Sequence, residues 1–225
     1  MSSDSNHNPQ DAFTLRERLP PSMKPTPSLL DCDAWVNEIK RQSVLHPPEH
    51  EEKLGPYYRP FAPYRAKLSA PFEIGETIVI KGQVWSHEDK SPLPATIEVW
   101  QANHDGKYEN DKSVQVGKGS FINRARVHCD EHGYFEIETV WPGGYERGAN
   151  RHAPHIHFRI KDPQHVECVT QILFEGDPRN DDDPFRDNSE IIRLQEVERN
   201  GNKYKVGVFN IVLRANSETP DSSVK

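Results

Sequence analysis

From residue 77 onward the chain is written in short runs of alternating apolar and polar positions, separated by Gly, Pro and Asp. Residues 77–85 (TIVIKGQVW) alternate as a half-buried strand does. Residues 95–101 (ATIEVWQ) put Ile97 and Val99 on one face and Glu98 and Trp100 on the other, because successive strand side chains point to opposite sides. Residues 134–140, 155–160, 168–174 and 204–213 repeat the pattern. Many short strands with long, turn-rich loops predict an all-β fold with a β-sandwich or barrel core. One segment breaks the pattern. Ser28, with Asp31 three residues on, opens a stretch in which Leu30, Ala34, Trp35 and Ile39 approach helical spacing. A short N-terminal helix over 28–45 is therefore expected, stopped before Pro47 and Pro48. Residues 1–27, rich in Ser, Asn and Pro, read as a mobile arm, and 28–225 as a single domain. Between helix and strands, Pro56, Pro60 and Pro63 stiffen an extended strap.

Charge and cysteine content narrow the partners. With 28 basic against 35 acidic side chains the net charge is −7, which repels a polyanion, so no nucleic-acid partner is expected. No apolar run reaches the roughly 18–20 residues of a membrane span, and the first residues lack the apolar stretch of a secretory signal. The three cysteines, Cys32, Cys129 and Cys168, form no Cys-x-x-Cys pair. An odd, sparse set predicts a reducing compartment, the cytoplasm.

Candidate chemistry centres on His155-Ile156-His157. In a strand the two imidazoles share one face, about 6–7 Å apart along the chain, while Ile156 enters the other. That spacing suits a shared metal ion, and equally two surface histidines. Tyr145 follows Gly143-Gly144 at the end of the preceding strand, and Tyr108 follows His104-Asp105-Gly106-Lys107; either alone is most simply a loop aromatic. His104, His128, His132 and His165 lie near turn residues and carry no ligand role. The run Asp181-Asp182-Asp183 reads as a solvated loop, and Trp85 and Trp100 as core residues.

Taken together, these positions fall into a known pattern. EVWQANHDGKY, ending at Tyr108, resembles the strand-and-loop motif of the intradiol ring-cleavage dioxygenases, which include protocatechuate 3,4-dioxygenase, catechol 1,2-dioxygenase and hydroxyquinol 1,2-dioxygenase. WPGGYERGANRHAPHIHFRI, TQILFEGDP and FNIVLRA are similar to further motifs of that family, and GPYYRPFAPYRAKL to the strap before its barrel. The resemblance spans roughly residues 55–215.

It implies a mononuclear, non-haem Fe(III) ion held by Tyr108, Tyr145, His155 and His157. A phenol of ordinary pKa about 10 loses its proton readily to a trivalent cation, and two phenolates favour the ferric over the ferrous state. The implied reaction takes a catechol and O₂ and breaks the bond between the two hydroxylated carbons, giving a cis,cis-muconate-type diacid. Tyr145 is the tyrosinate implied to leave the metal and act as an internal base when substrate binds. Gln171 matches a glutamine lining the family's substrate pocket. The family also carries an arginine three residues before the first histidine, where this chain has His152, with Arg151 one position further back. Either a bulge brings Arg151 into place or His152 takes over part of the role; Arg151 is favoured because a guanidinium keeps its charge at every working pH. Substrate choice would rest with residues 109–121 and 57–64, and Arg59, Arg65 or Arg147 could receive a carboxylated catechol. The N-terminal helix, as in several relatives, implies a homodimer. Two other classes compete: a zinc hydrolase using His155, His157 and a carboxylate, and a non-catalytic β-sandwich that binds a partner.

Overall fold

A computed structural model describes residues 54–71, 73–111, 120–199 and 202–216. The helix expected over 28–45, the arm over 1–27 and the dimer contact inferred from them lie outside the described residues. The described chain contains twelve strands: β1 (Thr77–Ser86), β2 (Thr96–Gln101), β3 (Arg124–His128), β4 (Tyr134–Val140), β5 (Tyr145–Arg147), β6 (Asn150–His152), β7 (His155–Lys161), β8 (Cys168–Phe174), β9 (Ser189–Ile192), β10 (Leu194–Arg199), β11 (Asn202–Val208) and β12 (Ile211–Leu213). Two short 3₁₀ turns, Pro178–Asp182 and Arg186–Asn188, bridge β8 and β9. The architecture is the all-β sandwich expected from the alternation.

In the first sheet β1 is central. It pairs antiparallel with β4 on one side, and on the other runs parallel to β11 and then β12, with β10 outside β11. The second sheet has the order β3-β2-β7-β8-β9, and β5 and β6 form a separate hairpin. Side-chain alternation sorts each strand into an inner and an outer face. Ile97, Val99, Ala125, Ile156, Phe158, Ile160, Ile172 and Phe174 from the second sheet meet Ile78, Ile80, Val84, Phe135, Ile137, Ile211 and Leu213 from the first in one buried cluster. Phe158 sits at its middle, fully buried against Phe135 and Phe209.

The 77–85, 95–101, 134–140, 155–160 and 168–174 runs are strands close to their expected limits, whereas 204–213 divides into β11 and β12. Phe209 and Asn210 separate the two halves, and Asn210 Oδ1 accepts from the Gln83 backbone N–H at the break. Strands β3, β5, β6, β9 and β10 were not expected. Their runs are short or dominated by charge, as in RARVH and LQEVER, and only their neighbours in the sheets make them strands.

The proline-stiffened strap closes one side of the sandwich. Arg65 N–H donates to the Arg126 carbonyl, and Arg126 N–H to that of Pro63, covering the edge of β3. Leu68 N–H then donates to Glu138 and Glu138 N–H to Ala66, covering the edge of β4. Both exposed sheet edges on that side are thereby paired.

One carboxyl sits uneasily in this core. Glu190 lies on the same face of β9 as buried Ile192, opposite Ile172, and burial pushes its pKa up to about 7 from an ordinary 4.5. A raised carboxyl pKa costs nothing below the unfolded value; the penalty grows as pH rises and is complete above about 7. Glu190→Gln is expected to raise stability by about 1–2 kcal/mol at pH 8, discounting for partial exposure, and to change it little at pH 4. Urea unfolding at the two pH values checks this; an equal effect at both would refute it.

Candidate metal centre

The register of the second sheet sets one row of outward-facing residues across all five strands. Arg124 pairs with Trp100, Trp100 with His157, His157 with Gln171, and Gln171 with Ser189. His155, two residues from His157, points the same way, while Ile156 between them is fully buried in the core. Trp100 lies parallel to the His157 ring at 4.9 Å and 12° and fixes its plane.

Two loops bring phenols to this row. After β2, Asn103 ties the turn that carries Tyr108, its Oδ1 accepting from the backbone N–H groups of Asp105 and Lys107. The Asn103 carbonyl also accepts from Gly106 and from Gly143, so one residue fastens both loops. Gly143 has no room for a side chain, because a Cβ there would lie 2.3 Å from the His104 carbonyl oxygen. Gly106, at φ +76°, faces Gly144 so closely that its Cβ would lie 2.4 Å from that carbonyl oxygen. The loops pack backbone to backbone, and Tyr145 emerges beside Tyr108 with ring centroids 5.8 Å apart.

The four side chains converge. Tyr108 Oη is 3.3 Å from His155 Nε2, which is 3.1 Å from His157 Nε2. The Tyr145 ring lies 5.5 Å from that of His155. His155 Nδ1 is 2.6 Å from the Ala153 carbonyl oxygen, an acceptor only, so the proton sits on Nδ1 and the Nε2 lone pair faces Tyr108. Tyr57 from the strap stacks on Tyr108 at 4.2 Å and 5°.

Burial governs the charges. It pushes the Tyr108 phenol well above its ordinary value, with help from Tyr145, and Tyr145 up to about 12. It lowers His155 to about 4 and His157 well below the ordinary imidazole value, so both rings are neutral at pH 7. A neutral imidazole with an inward lone pair, as at His155, is a ready metal donor, and the phenols need a nearby cation to ionise. Among the described residues no group of three or more His, Cys, Asp or Glu side chains is placed to hold a metal, so His155 and His157 lack the carboxylate a zinc hydrolase would need.

Gln171 is fully buried in the row; its Nε2 donates to Ser189 Oγ and its Oε1 has no protein partner. Of the two candidates upstream of His155, the structure brings in His152. Its ring is buried, paired across the β5–β6 hairpin with Tyr145 at 4.8 Å and stacked on Phe185. Arg151, favoured on charge, alternates to the other face: its side chain is 56% exposed and lies near Glu146 and Asp182. No bulge intervenes, because hairpin pairing continues from Arg147↔Asn150 through Glu146↔Arg151 to Tyr145↔His152. Arg59 and Arg65 are engaged by Glu109 and by backbone carbonyls, and Arg147 is exposed. His104, His128, His132 and His165 lie away from the cluster, bonded or ion-paired elsewhere.

Trp100 is buried in a hydrophobic cluster, as expected, and also walls the site. Two sequence readings change: Trp85 is only half-buried. Asp183 is buried, unlike its exposed neighbours Asp181 and Asp182. Arg124 carried no signal: it is fully buried in a charged strand, bonded through Nε to Glu109 at 2.6 Å and set 5.9 Å from the Tyr108 ring.

Two phenols and two imidazoles gathered beside the middle of this row match the site implied by the family resemblance, and comparison with known proteins identifies the family. A family model described as "Dioxygenase" matches residues 54–215. The chain is 32% identical over 182 residues to the protocatechuate 3,4-dioxygenase beta chain of Burkholderia cepacia, covering 75% of this chain and 77% of that one. It is 33% identical over 142 residues to catechol 1,2-dioxygenase 2 of Acinetobacter lwoffii, covering 55% of this chain and about half (50%) of the relative's length. Among solved structures, the dioxygenase domain of a dioxygenase–carbohydrate-binding protein fusion from Streptomyces sp. SirexAA-E aligns with a TM-score of 0.61 at 25% identity, covering 75% of this chain and 99% of that domain. Catechol 1,2-dioxygenase from Acinetobacter sp. ADP1 shares the fold, with a TM-score of 0.67 at 24% identity over 89% of this chain and 74% of that one. The chain belongs to the intradiol ring-cleavage dioxygenase family, a family of oxidoreductases.

The Arg124–Glu109 pair behind Tyr108 is almost completely buried, at 1% and 2% side-chain exposure. Arg124→Met leaves Glu109 with Arg59 alone and is expected to cost about 3 kcal/mol of stability. Adding Glu109→Gln should recover part of that loss in urea unfolding; a full, additive second loss would show that the two charges are not coupled.

Proposed function

We propose that Tyr108, Tyr145, His155 and His157 hold a non-haem Fe(III) ion, and that the protein opens a catechol ring between its two hydroxylated carbons. The products would be cis,cis-muconate-type diacids containing both atoms of O₂. The observation that carries this reading is the buried chain of contacts from Tyr108 Oη to His155 Nε2 at 3.3 Å and on to His157 Nε2 at 3.1 Å, with the Tyr145 ring 5.5 Å from that of His155. Burial without a cation holds both phenols protonated, so an ion that binds here must be charged enough to reverse a large shift. A trivalent ion fits that requirement. What Fe(III) supplies when bound is Lewis acidity toward the two catechol oxygens and a pull on ring electrons that exposes a ring carbon to O₂.

The chain's own residues do the rest. Tyr145 Oη, as phenolate, takes a proton from the incoming catechol hydroxyl. His152, buried at the edge of the Tyr145 ring, holds that ring in its hairpin and fills the position where the family pattern has arginine. The Gln171 amide is oriented by Ser189: the Ser189 hydroxyl donates to the Phe185 carbonyl and can only accept from Gln171, which leaves Oε1 free to receive a substrate hydroxyl. Trp100 and Tyr57 wall the imidazole and phenol from solvent. Arg59 and Arg65 are held by Glu109 and by backbone carbonyls, so a carboxylated catechol would have to meet the exposed Arg147, whose charge bears on Tyr145 and His152. Three cysteines with no Cys-x-x-Cys pair are in keeping with a cytoplasmic enzyme.

Oxygen uptake by the iron-loaded full chain, with plain, hydroxylated and carboxylated catechols, tests the reading. Stoichiometric uptake with diacid products is expected; no uptake with any catechol, or ring opening outside the diol, would overturn it. His157→Ala and Tyr108→Phe should each lose the phenolate-to-iron visible absorption or the iron itself. Arg151→Ala should leave turnover within about twofold, the usual size of an exposed-pair effect. A large drop in turnover would return the second-sphere role to Arg151.

A further inference from the structure

Asp183 is a buried carboxylate with no cation of its own. Its side chain accepts from the Ala153 N–H through Oδ2 at 2.8 Å and from the Phe185 N–H through Oδ1 at 2.9 Å. The cations around it are paired elsewhere: Arg179 with Asp177, Arg186 with Asp181 and Asp187, and Arg151 with Glu146 and Asp182. Among the described residues Asp183 forms no ion pair. Its described partners are these two backbone N–H groups, one on each carboxylate oxygen.

The residue it holds explains its place. The Ala153 carbonyl is the group that receives His155 Nδ1–H, so Asp183, Ala153 and His155 form one positional relay through the Ala153 backbone. By pinning the Ala153 N–H, Asp183 holds in place the carbonyl that fixes the tautomer and turns the Nε2 lone pair inward. Burial dominates the proton affinities of Tyr145, His152 and His155, and the Asp183 charge acts on all three.

Resting on the ferric reading above, we infer that Asp183 is a positioning residue for the metal centre: it pins the Ala153 backbone whose carbonyl orients His155, and places negative charge near a cation held by the four donors. Its exposed neighbours Asp181 and Asp182 share neither role.

The test compares ferric affinity of the full chain, by chelator competition, in the wild type, Asp183→Asn and Asn180→Ala. Asn180 anchors the same loop through Nδ2 to the Phe174 carbonyl but takes no part in the relay. Asp183→Asn should weaken ferric binding by about 10–100-fold and shift the visible absorption maximum, as second-shell changes do. Asn180→Ala should lower the thermal midpoint of the metal-free protein yet keep wild-type affinity and spectrum. Asp183→Asn binding as tightly as wild type overturns the inference, and so does an equal loss in Asn180→Ala, which would make the role one of loop integrity. A wild type that binds no ferric ion sinks the metal reading as well, whereas a tight wild type with an unchanged Asp183→Asn sinks only the role of Asp183. Should Asp183→Asn not fold, Asp183→Ser takes its place with the same outcomes.

Discussion

Ile156 has to enter the core, and because strand side chains alternate, His155 and His157 then have to leave it together. That constraint on β7 organises the rest of the site. Cross-strand pairing on both sides of β7 brings Trp100 and Gln171 beside His157, and Arg124 and Ser189 follow at the ends of the row. A slip of one residue would drive both imidazoles into the apolar layer and expose Ile156. The burial of Ile156, Phe158 and Ile160 therefore stabilises the fold and aims the two imidazoles at the same time.

The phenols depend on a different device. Tyr108 and Tyr145 come from separate loops, and no sheet register relates them. Their relation is set by Asn103, which bonds to both loops, and by glycines that let the two backbones touch. Close packing of this kind leaves little slack, so the separation of the two rings is a property of the backbone rather than of rotamer choice.

Polar groups gathered in a dry place are the cost of such a site. Arg124 and Glu109 neutralise each other behind Tyr108, a solution internal to the protein. Among the described residues Tyr108, Tyr145 and Asp183 have no comparable ion pair; under the proposed reading a bound cation would ionise the phenols and offset the carboxylate. The strap contributes by covering one edge of each sheet and laying Tyr57 over Tyr108, so the site is kept from water on the side where β3 would otherwise end.

Local pattern by itself determined a good part of this. The alternation in TIVIKGQVW, ATIEVWQ and HIHFRI sufficed for the sandwich and for two imidazoles on one face, because a period of two is a local property of the chain. The tyrosines were nominated by the family resemblance of the motifs around them, since each alone reads as a loop aromatic. Only the tertiary structure decided what depends on partners distant in sequence. The hairpin register put His152 beside Tyr145 and turned Arg151 outward, although charge had favoured the arginine. Packing buried one aspartate of three in an acidic run, made strands of RARVH and LQEVER, and hid Arg124 beneath the strap. Which face a residue shows can be read from its neighbours in the chain, but whether that face meets water is settled by segments folded over it from elsewhere.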